Sequence, residues 1–247
     1  MAATFLLARL YGPLCAWGGP AVGELRPTGE TPTRSALLGL VGACLGLRRD
    51  DAEAQAALAA GYGVAVRVDA PGRRLEDYHT VQAPKARKGF EPASRRAELL
   101  DVDEDDIETM VTRRGYLMDA VYTVAWWRRA AARWSLEEIA EAMRRPVFVP
   151  YLGRKSCPLG LPLAPLPSQA ADLGTALAEL DAAVPDPDPL AALLEPGPRL
   201  LVWDVDPPGG DPVAPQRVTL RRDAPADRAR WQFAERPENA AQWEPAP

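Results

Sequence analysis

"RPTGETPTRSALLGLVGACLGLRRDD" occupies residues 26–51 and joins a loop rich in proline and hydroxyl groups to an apolar segment. Thr31 is the expected helix cap, and Pro32 suits the first helical position because that position needs no amide hydrogen. Arg48 and Arg49 follow the apolar residues, where cations complement the helix dipole. This stretch predicts a helix that is held at its start by a polar loop.

Three glycines lie inside this expected helix. Each glycine in a helix interior costs about 1 kcal/mol of stability relative to alanine, so their presence needs a reason. Gly39, Ala43 and Gly46 follow one another at helical spacing and form a smooth stripe, together with Gly42 nearby. We expect the stripe to pack closely on a sheet and to fix loop 26–35 rigidly in place.

The neighbouring segments predict an α+β fold. Ser135 and Glu138 match a capping box before a helix that Pro146 ends, and the remaining apolar runs have the composition of strands. The expected strands are residues 3–11, 62–69, 116–127 and 146–153. With an insertion at about 70–114, the order is β-α-β-insertion-β-α-β, the split βαβ order of a ferredoxin-like domain. A loop as long as the insertion is typically functional or disordered.

The last third of the chain, residues 153–247, is rich in proline. A helix is expected at 168–180 and strands at 199–206 and 216–223, and the tail 237–247 is expected to be frayed. We therefore predict a first domain at 1–152, followed by a linker and a small C-terminal β-rich module.

Composition excludes several classes of protein. The net charge of −5 and pI of about 5.1 argue against a non-specific nucleic-acid binder. Three widely spaced cysteines do not indicate a disulfide framework or a zinc site. The longest apolar run, residues 36–47, is too short to span a membrane, and Arg9 interrupts the N-terminal apolar stretch. We expect a cytoplasmic protein without a metal, a cofactor or a membrane partner.

Charge is unevenly distributed within the insertion. Basic residues dominate between 70 and 100, and "DVDEDDIE" at 101–108 then supplies six acidic residues. One interpretation is a solvated loop of mixed charge. The other is a local basic surface on an acidic body, which could hold one specific RNA and repel bulk nucleic acid.

Two loops carry groups that suit phosphate oxygens, namely guanidinium forks, hydroxyls and the amides of a helix start. The first loop holds Arg26, Thr28, Thr31, Thr33, Arg34 and Ser35, and the second holds Tyr151, Arg154, Lys155 and Ser156. Ordinary capping with one surface ion pair is the alternative for the first loop. The second loop is expected to share a surface with residues 12–18. Trp17, Tyr11 and Tyr151 could stack on bases, although core packing is the alternative, particularly for Tyr11.

Several motifs together resemble the CasD family of subtype I-E CRISPR Cascade complexes, a group of RAMP proteins. They are "GPLCAWG" at 12–18, "RPTGETPTRSALLGLVGACLG" at 26–46, "DYHTV" at 77–81, "GYLMDA" at 115–120, "YLGRKSCPLG" at 151–160 and, more weakly, "RWQFAER" at 230–236. The motifs run in order through nearly the whole chain.

The resemblance implies a ferredoxin-like (RRM-like) domain with an inserted thumb at about 70–114 and a small C-terminal β module. It implies binding of the 5′ handle of CRISPR RNA, capping of the CasC backbone filament and contact with the large subunit CasA and other Cascade subunits. By the same resemblance Arg114 lies where the thumb returns into the third strand. Thumb or partner contacts are expected from Tyr78, His79, Lys85, Arg87 and Lys88.

The resemblance also implies a non-catalytic subunit, because precursor cleavage in this subtype belongs to CasE. The alternative is a metal-independent endoribonuclease that uses His79, the only histidine, with Lys85, Tyr78 or Tyr151. Such an enzyme needs a base, a charge stabiliser and a proton donor that converge on one phosphate.

Overall fold

The computed structural model of the chain describes residues 2–19, 21, 23–86, 89–194, 196–227, 230 and 232–244. Its strands are β1 Ala3–Tyr11, β2 Leu14–Cys15, β3 Leu25–Arg26, β4 Tyr62–Ala70, β5 Arg73–Pro84, β6 Ile107–Met118, β7 Val121–Arg128, β8 Leu166–Ala170, β9 Arg199–Asp204, β10 Arg217–Asp227 and β11 Gln232–Trp243. Its α-helices are α1 Arg34–Cys44, α2 Ala52–Gly61, α3 Arg95–Leu100, α4 Leu136–Arg144 and α5 Leu173–Ala183.

The large sheet has the order β10-β11-β9-β4-β7-β1-β8 across the described residues, and all neighbouring strands are antiparallel. Helices cover both faces. Leu6 and Trp126 belong to the core beneath α1, α2 and α4, while Phe5 and Trp127 belong to the core beneath α5. Successive residues of a strand point to opposite faces, so the apolar runs of β1 and β7 are buried on both sides.

Within this sheet, β8-β1-β7-β4 form a unit in which α1 and α2 connect β1 to β4, and α4 connects β7 to β8. The capping box of α4 is confirmed, because Ser135 Oγ accepts from the Glu138 amide and Glu138 accepts from the Ser135 amide. Helix α2 was not expected from the sequence. Its cap is Asp51, whose Oδ1 accepts from the Ala54 amide at 3.0 Å.

The predicted strand at 146–153 is wrong, and β8 pairs with β1 instead. The amides of Val147 and Phe148 donate to the carbonyls of Cys44 and Ala43 at the end of α1, at 3.1 and 3.0 Å. Proline, which has no amide hydrogen, flanks the segment on both sides. These amides are therefore not available to a strand partner, and the segment forms a loop over α1.

The insertion forms a long hairpin. β5 and β6 pair from Arg73 opposite Met118 to Pro84 opposite Ile107, and the short strands β2 and β3 lie along the other edge of β6. The predicted third strand 116–127 is two strands, because the chain turns at Asp119, whose φ is 57°. The hairpin follows β4 directly and returns directly into β7, so the second sheet is anchored to the first.

The last three strands continue the large sheet, so the boundary expected at 152/153 does not separate two sheets. β9 pairs with β4, and β11 lies between β9 and β10. The tail that was expected to be frayed contains buried Ala240, Ala241 and Trp243. The predicted helix 168–180 is shifted to α5, since its first residues belong to β8, whereas the strands predicted at 199–206 and 216–223 are confirmed as β9 and β10.

Helix α1 differs at both ends from the prediction. Thr33, rather than Thr31, is the cap, and its Oγ1 accepts from the Ala36 amide. The helix ends at Cys44, and Gly46 follows it with a φ of 74°, a left-handed conformation that glycine adopts without strain. The half-buried stripe of Gly39 and Ala43 lines an open groove, so close packing of the stripe on the sheet is not found.

Candidate RNA-binding surface

The turn at residues 151–156 is pressed against loop 12–18, as the sequence predicted. The Ala16 amide donates to the Leu152 carbonyl at 3.1 Å, and Tyr151 bridges to Pro158. Gly153 has a φ of 83°, and a Cβ there would lie 1.9 Å from the Ala16 carbonyl oxygen. Only glycine allows this approach, so the sequence of the turn fixes its position on the loop.

Arg154 joins the turn to two other segments. Its Nη1 donates to the Gly115 carbonyl at 3.0 Å, and its Nη2 donates to the Arg26 carbonyl at 2.7 Å. Its guanidinium carbon lies 4.7 Å from the centre of the Tyr116 ring, a cation–π contact. A cation is thus held in one orientation where the turn, β3 and β6 meet.

Four of the predicted residues come together at this junction. Arg26 and Arg114 are register partners on the parallel strands β3 and β6, Arg154 donates to Arg26, and Lys155 is exposed on the turn beside it. We call Arg26, Arg114, Arg154 and Lys155 the basic cluster. Asp77 stands opposite Arg114 on β5 and reduces the local positive charge. The cluster remains cationic on a chain that is acidic overall.

A groove of about 1240 Å³ runs along α1 beside the turn. Ser35 lines one end, Gly39 and Ala43 form a wall with small side chains, and Tyr151 and Gly153 connect the groove to the turn. The glycine stripe therefore widens a surface channel. A channel with small side chains leaves room for the backbone or bases of an extended strand.

Arg34 does not contact this surface, so the predicted phosphate contact is wrong for this residue. Its side chain is 4% exposed, and its Nε donates to Asp204 Oδ2 at 3.1 Å. Its Nη2 donates to the carbonyls of Ala59 and Tyr62, both at 2.6 Å. Burial lowers the pKa of the Arg34 guanidinium, and the Asp204 carboxylate opposes that effect. Arg34 is an internal tie between α1, α2 and β9.

The chain's own carboxylate occupies the start of α1. Asp223 Oδ2 accepts from the Arg34 amide at 2.7 Å, and Thr33, itself buried, caps the same turn. The amides of Arg34 and Ala36 at this helix start, which we expected to bind phosphate, are therefore hydrogen-bonded within the protein. Thr33 has a structural role, whereas Ser35 remains half-buried and faces the groove.

Asp223 belongs to a buried ionic network. Arg236 binds Asp204, Asp223 and Glu238 at 2.7–2.8 Å. Burial disfavours the charged guanidinium, but the hydrogen bond that Arg236 donates to Asp223 and the charges of Asp204, Asp223 and Glu238 outweigh it and raise the pKa of Arg236. The motif at 230–236 therefore contributes to the fold, since Arg236 connects β9, β10 and β11.

Trp17 is not a stacking platform for bases, because it is buried. Its ring packs edge to face on Tyr122 with centroids 5.6 Å apart, and its amide donates to Thr28 Oγ1 at 2.9 Å. Tyr11 is half-buried against the core, and Tyr151 is half-buried and lines the groove. Of the three rings, Tyr151 is the one placed to meet a ligand in the groove.

The predicted thumb residues lie on β5 or near the hairpin tip, and Tyr78 is the register partner of Arg113, next to Arg114 of the basic cluster. Tyr78 and His79 are exposed and, as neighbours on β5, point to opposite faces. Lys85 donates to the Asp105 carbonyl at 2.8 Å near the hairpin tip. Arg87 and Lys88 lie outside the described residues. The hairpin therefore offers separate polar groups along its length.

Two contributors were not anticipated from the sequence. Tyr116 supports Arg154, and only its place in the "GYLMDA" motif pointed to it. Arg222 lines the groove and donates to the Phe233 carbonyl at 3.1 Å. Nothing near Arg222 in the sequence signals this position, because β10 reaches the groove through strand pairing and tertiary packing.

Two features are absent from the residues that the structure describes. No helix among them is long and apolar enough to cross a bilayer. Among the same residues, His, Cys, Asp and Glu side chains form no group of three or more that could hold a metal ion.

Known proteins are similar to nearly the whole length of the chain. The family model described as "CRISPR-associated protein (Cas_Cas5)" matches residues 5–237. The chain is 38% identical to "CRISPR system Cascade subunit CasD" of Escherichia coli (strain K12), over 94% of this chain and 93% of that protein.

Two solved structures share the fold. A chain of a "CRISPR RNA-guided surveillance complex" has a TM-score of 0.64 and 28% identity, covering 98% of this chain and 90% of that one. "Crystal structure of Cas protein" describes another, with a TM-score of 0.60 and 26% identity, covering 98% and 95% of the two chains. The family match and the identity to CasD both extend over nearly the whole molecule, and the chain belongs to the Cas5 family of CRISPR-associated proteins.

Proposed function

We propose that the chain is a non-catalytic subunit of a type I-E CRISPR Cascade ribonucleoprotein and that it binds the 5′ handle of CRISPR RNA. Support comes from the 38% identity to the CasD subunit and from the basic cluster. The unit β8-β1-β7-β4 has the strand order of a ferredoxin-like, RRM-like domain. In this proposal it is the RNA-binding domain, the hairpin β5–β6 is the thumb, and the last strands are a C-terminal extension of its sheet.

The observation that carries this proposal is the position of Arg154. Its hydrogen bonds to the carbonyls of Gly115 and Arg26 and its contact with Tyr116 hold the Arg154 guanidinium in one geometry before any ligand arrives. Ligand binding then loses less side-chain entropy than it would with free arginines. Guanidinium and ammonium groups bind phosphate oxygens well, and the acidic remainder of the chain disfavours bulk nucleic acid.

Bases of the handle enter the adjoining groove in this proposal. Ser35 and Tyr151 line the groove, and Ser156 is exposed on the turn next to the cluster. The Tyr151 ring provides a face for an unstacked base, as aromatic side chains do in single-stranded RNA recognition. Phosphates at the cluster would fix the path of the strand, and the groove would hold its bases.

The protein partners in this proposal are CasC, whose filament the chain caps, and CasA, with the other Cascade subunits in a cytoplasmic assembly. Exposed Tyr78, His79 and Lys85 on the hairpin are available for contacts with these partners. The hairpin is paired along its length and is anchored by β2 and β3, so it extends as a fixed arm.

The endoribonuclease alternative is less well supported by the geometry. Lys85 follows His79 by six residues on an extended segment, which separates them by about 20 Å. The His79 ring is exposed, and its Nδ1 lies 3.9 Å from Asp77 Oδ2. Tyr151 belongs to the turn at residues 151–156 and not to the hairpin. These groups do not converge on one phosphate, as acid–base cleavage requires.

The test is co-expression of the tagged chain with the other Cascade subunits and a CRISPR array, followed by crosslinking of 5′-labelled RNA. We expect the RNA's first nucleotides to crosslink within residues 151–156. In a parallel assay, the purified chain and repeat RNA are incubated in EDTA. Binding without cleavage is expected, whereas cleavage that is lost in His79→Ala would establish the nuclease instead.

A further inference from the structure

The large sheet ends in a strand that is paired on one side only. β10 is the outermost strand, and among the described residues it pairs with β11 alone. Val218 and Leu220, in its first half, are 60% and 69% exposed. We call residues 217–220 the β10 edge. An unpaired sheet edge presents amides and carbonyls that can pair with a further strand.

Hydrogen bonds between the strands show which residues of β11 face β10. The Gln216 amide donates to the Ala240 carbonyl at 3.0 Å, and the Gln242 amide donates to Gln216 Oε1 at 3.1 Å. The amide and the carbonyl of one strand residue point to the same side of the strand. The backbone groups of Ala240 and Gln242 therefore point towards β10.

This pattern leaves two residues of β10 with outward backbone groups. Arg217 is the register partner of Ala240, so its backbone groups face β11, and those of Thr219 do so by alternation. Val218 and Leu220 lie between and after them. Their amides and carbonyls therefore point away from β11, in the same stretch where their side chains are exposed.

The other outer strands are protected against pairing. β8, at the opposite edge of the large sheet, is five residues long and contains Pro167, which has no amide hydrogen. β5, the outer strand of the hairpin, has four charged residues among its first five. Proline, charge and short length are the usual protections of sheet edges. Val218 and Leu220 carry neither proline nor charge at the outward positions.

The side chains of the β10 edge specify what an added strand would carry. Ala240 belongs to the core beneath α1, so its partner Arg217 lies on that face of the sheet, and Val218 and Leu220 lie on the α5 face beside exposed Pro237. Arg217 is exposed and has no carboxylate partner among the side chains that the structure describes. The complementary strand has apolar residues on the α5 face and acidic residues on the α1 face.

A second copy of the chain is a poorer match. A two-fold pairing of two β10 strands that places Val218 opposite Leu220 also places Arg217 opposite Arg221. Like charges directly opposite each other destabilise a strand pair. Such a pairing also supplies no carboxylate for Arg217.

RNA is disfavoured at the same edge. The outward carbonyls of Val218 and Leu220 are hydrogen-bond acceptors, as phosphate oxygens are, so they do not bind a nucleic-acid backbone. The side chains of both residues lie on the α5 face, whereas the groove runs along α1 on the other face of the sheet.

We propose that the β10 edge binds an extended segment of another subunit of the same assembly, which adds a strand to the large sheet and alternates apolar residues with acidic ones. This inference rests on the proposed function for the source of the segment. Main-chain hydrogen bonds hold such a strand, and alternate side chains select it.

Hydrogen–deuterium exchange with residue-resolving fragmentation tests the pairing. In the isolated full chain, the amides of Val218 and Leu220 should exchange faster than those of Arg217 and Thr219. In particles co-expressed with the other Cascade subunits and a CRISPR array, exchange at Val218 and Leu220 should slow by about tenfold or more. Unchanged exchange in assembled particles, or equal slowing by repeat RNA alone, overturns the inference. If the chain retains neither RNA nor subunits, the proposed function fails first, so the two failures are distinguishable.

Substitution of Val218 separates backbone pairing from side-chain contact. Val218→Pro removes an outward amide, which proline at a sheet edge tolerates, so the unfolding midpoint and the affinity for repeat RNA should be unchanged. Retention of one subunit should fall about tenfold. Val218→Ala, which keeps the amide, is the matched control and should lose less. Equal losses in the two variants, or no loss in Val218→Pro, would contradict strand addition.

A crosslink identifies the occupant. A photoreactive amino acid replaces Leu220 in the tagged full chain, and the crosslinked peptide from assembled particles is sequenced. We expect a segment of one subunit in which apolar and acidic residues alternate. A crosslink to RNA, to a second copy of the chain or to a segment without this alternation would refute the proposal, as would the absence of any crosslink.

Discussion

The amide of Arg34 donates a 2.7 Å hydrogen bond to the carboxylate of Asp223, 189 residues further along the chain. Because Arg236 also binds this carboxylate, the start of α1, β10 and β11 are connected through one buried group. The helix start whose sequence predicted phosphate binding is thus bonded to Asp223 inside the protein.

Asp223→Ala should lower the free energy of unfolding by about 3 kcal/mol, because removing one member of a buried ion pair leaves the other charge uncompensated. Urea denaturation followed by tryptophan fluorescence measures the change. Asp50→Ala is the control, since Asp50 is exposed and its loss should change stability by less than about 0.5 kcal/mol. Similar effects of the two substitutions would show that the network contributes little.

Lys155→Ala should weaken RNA binding and reduce its salt dependence. Each lost phosphate contact with a single strand lowers the slope of log K against log salt by about 0.7. Arg34→Ala should instead lower stability and leave this slope unchanged in the folded protein, because Arg34 is internal. Titrations between low and moderate salt distinguish the two, and a reduced slope for Arg34→Ala would contradict the assignment.

The sequence predicted features that depend on local patterns. Strand β1 and the capping box of α4 are confirmed because alternation and capping are read within a few residues. The assignment of Arg34 was wrong because its partner Asp204 lies 170 residues away and has no local signature. Likewise β11 appeared to be a tail, since its burial comes from pairing with β9 and β10.

The candidate site was predicted in part for the same reason. Motif and charge identified Arg26, Arg114, Arg154 and Lys155, and the fold brings them together. The Trp17 ring could have stacked on a base, but nothing in the sequence showed that Tyr122 packs against it.

Gly153→Ala should displace the turn 151–156, because a methyl group at that position meets the Ala16 carbonyl and the residue has a positive φ. Such strain costs about 1–3 kcal/mol. We expect a loss of RNA affinity larger than that of Lys155→Ala, measured with labelled repeat RNA.

Gly18→Ala is the control for Gly153→Ala, since a Cβ at Gly18 meets no atom within 4 Å. Its unfolding midpoint should match that of the unmodified chain. Gly153→Ala with unchanged stability and unchanged RNA affinity would show that the turn tolerates a side chain and that its close approach to loop 12–18 is not required.

The cysteines should be unreactive in the folded protein. Burial raises the pKa of Cys15 to about 12 and that of Cys44 to about 11, and it also raises the pKa of Cys157. A disulfide reagent at pH 8 should modify none of them before unfolding and all three in concentrated urea. Fast labelling of the native chain would contradict this burial.

Stability should also fall at alkaline pH for the same reason. The folded pKa of Cys15 lies above its ordinary value of 9.0, so its contribution is fully present below about pH 9 and is lost as pH rises towards 12. Urea midpoints measured between pH 8 and 10.5 should therefore decline, with a smaller decline in Cys15→Ala. An equal decline in both proteins would assign the effect to other groups.

Because β11 lies between β9 and β10, the large sheet cannot be completed until residues 232–243 have emerged from the ribosome. Asp204 and Asp223, whose carboxylates bind Arg34 at the start of α1, are also synthesised late. The start of α1 therefore lacks these partners until most of the chain has been made. Folding of such a chain depends on long-range strand pairing, which is slow to form. Chains that end before this strand cannot complete the sheet, so we expect truncated copies not to reach the native fold.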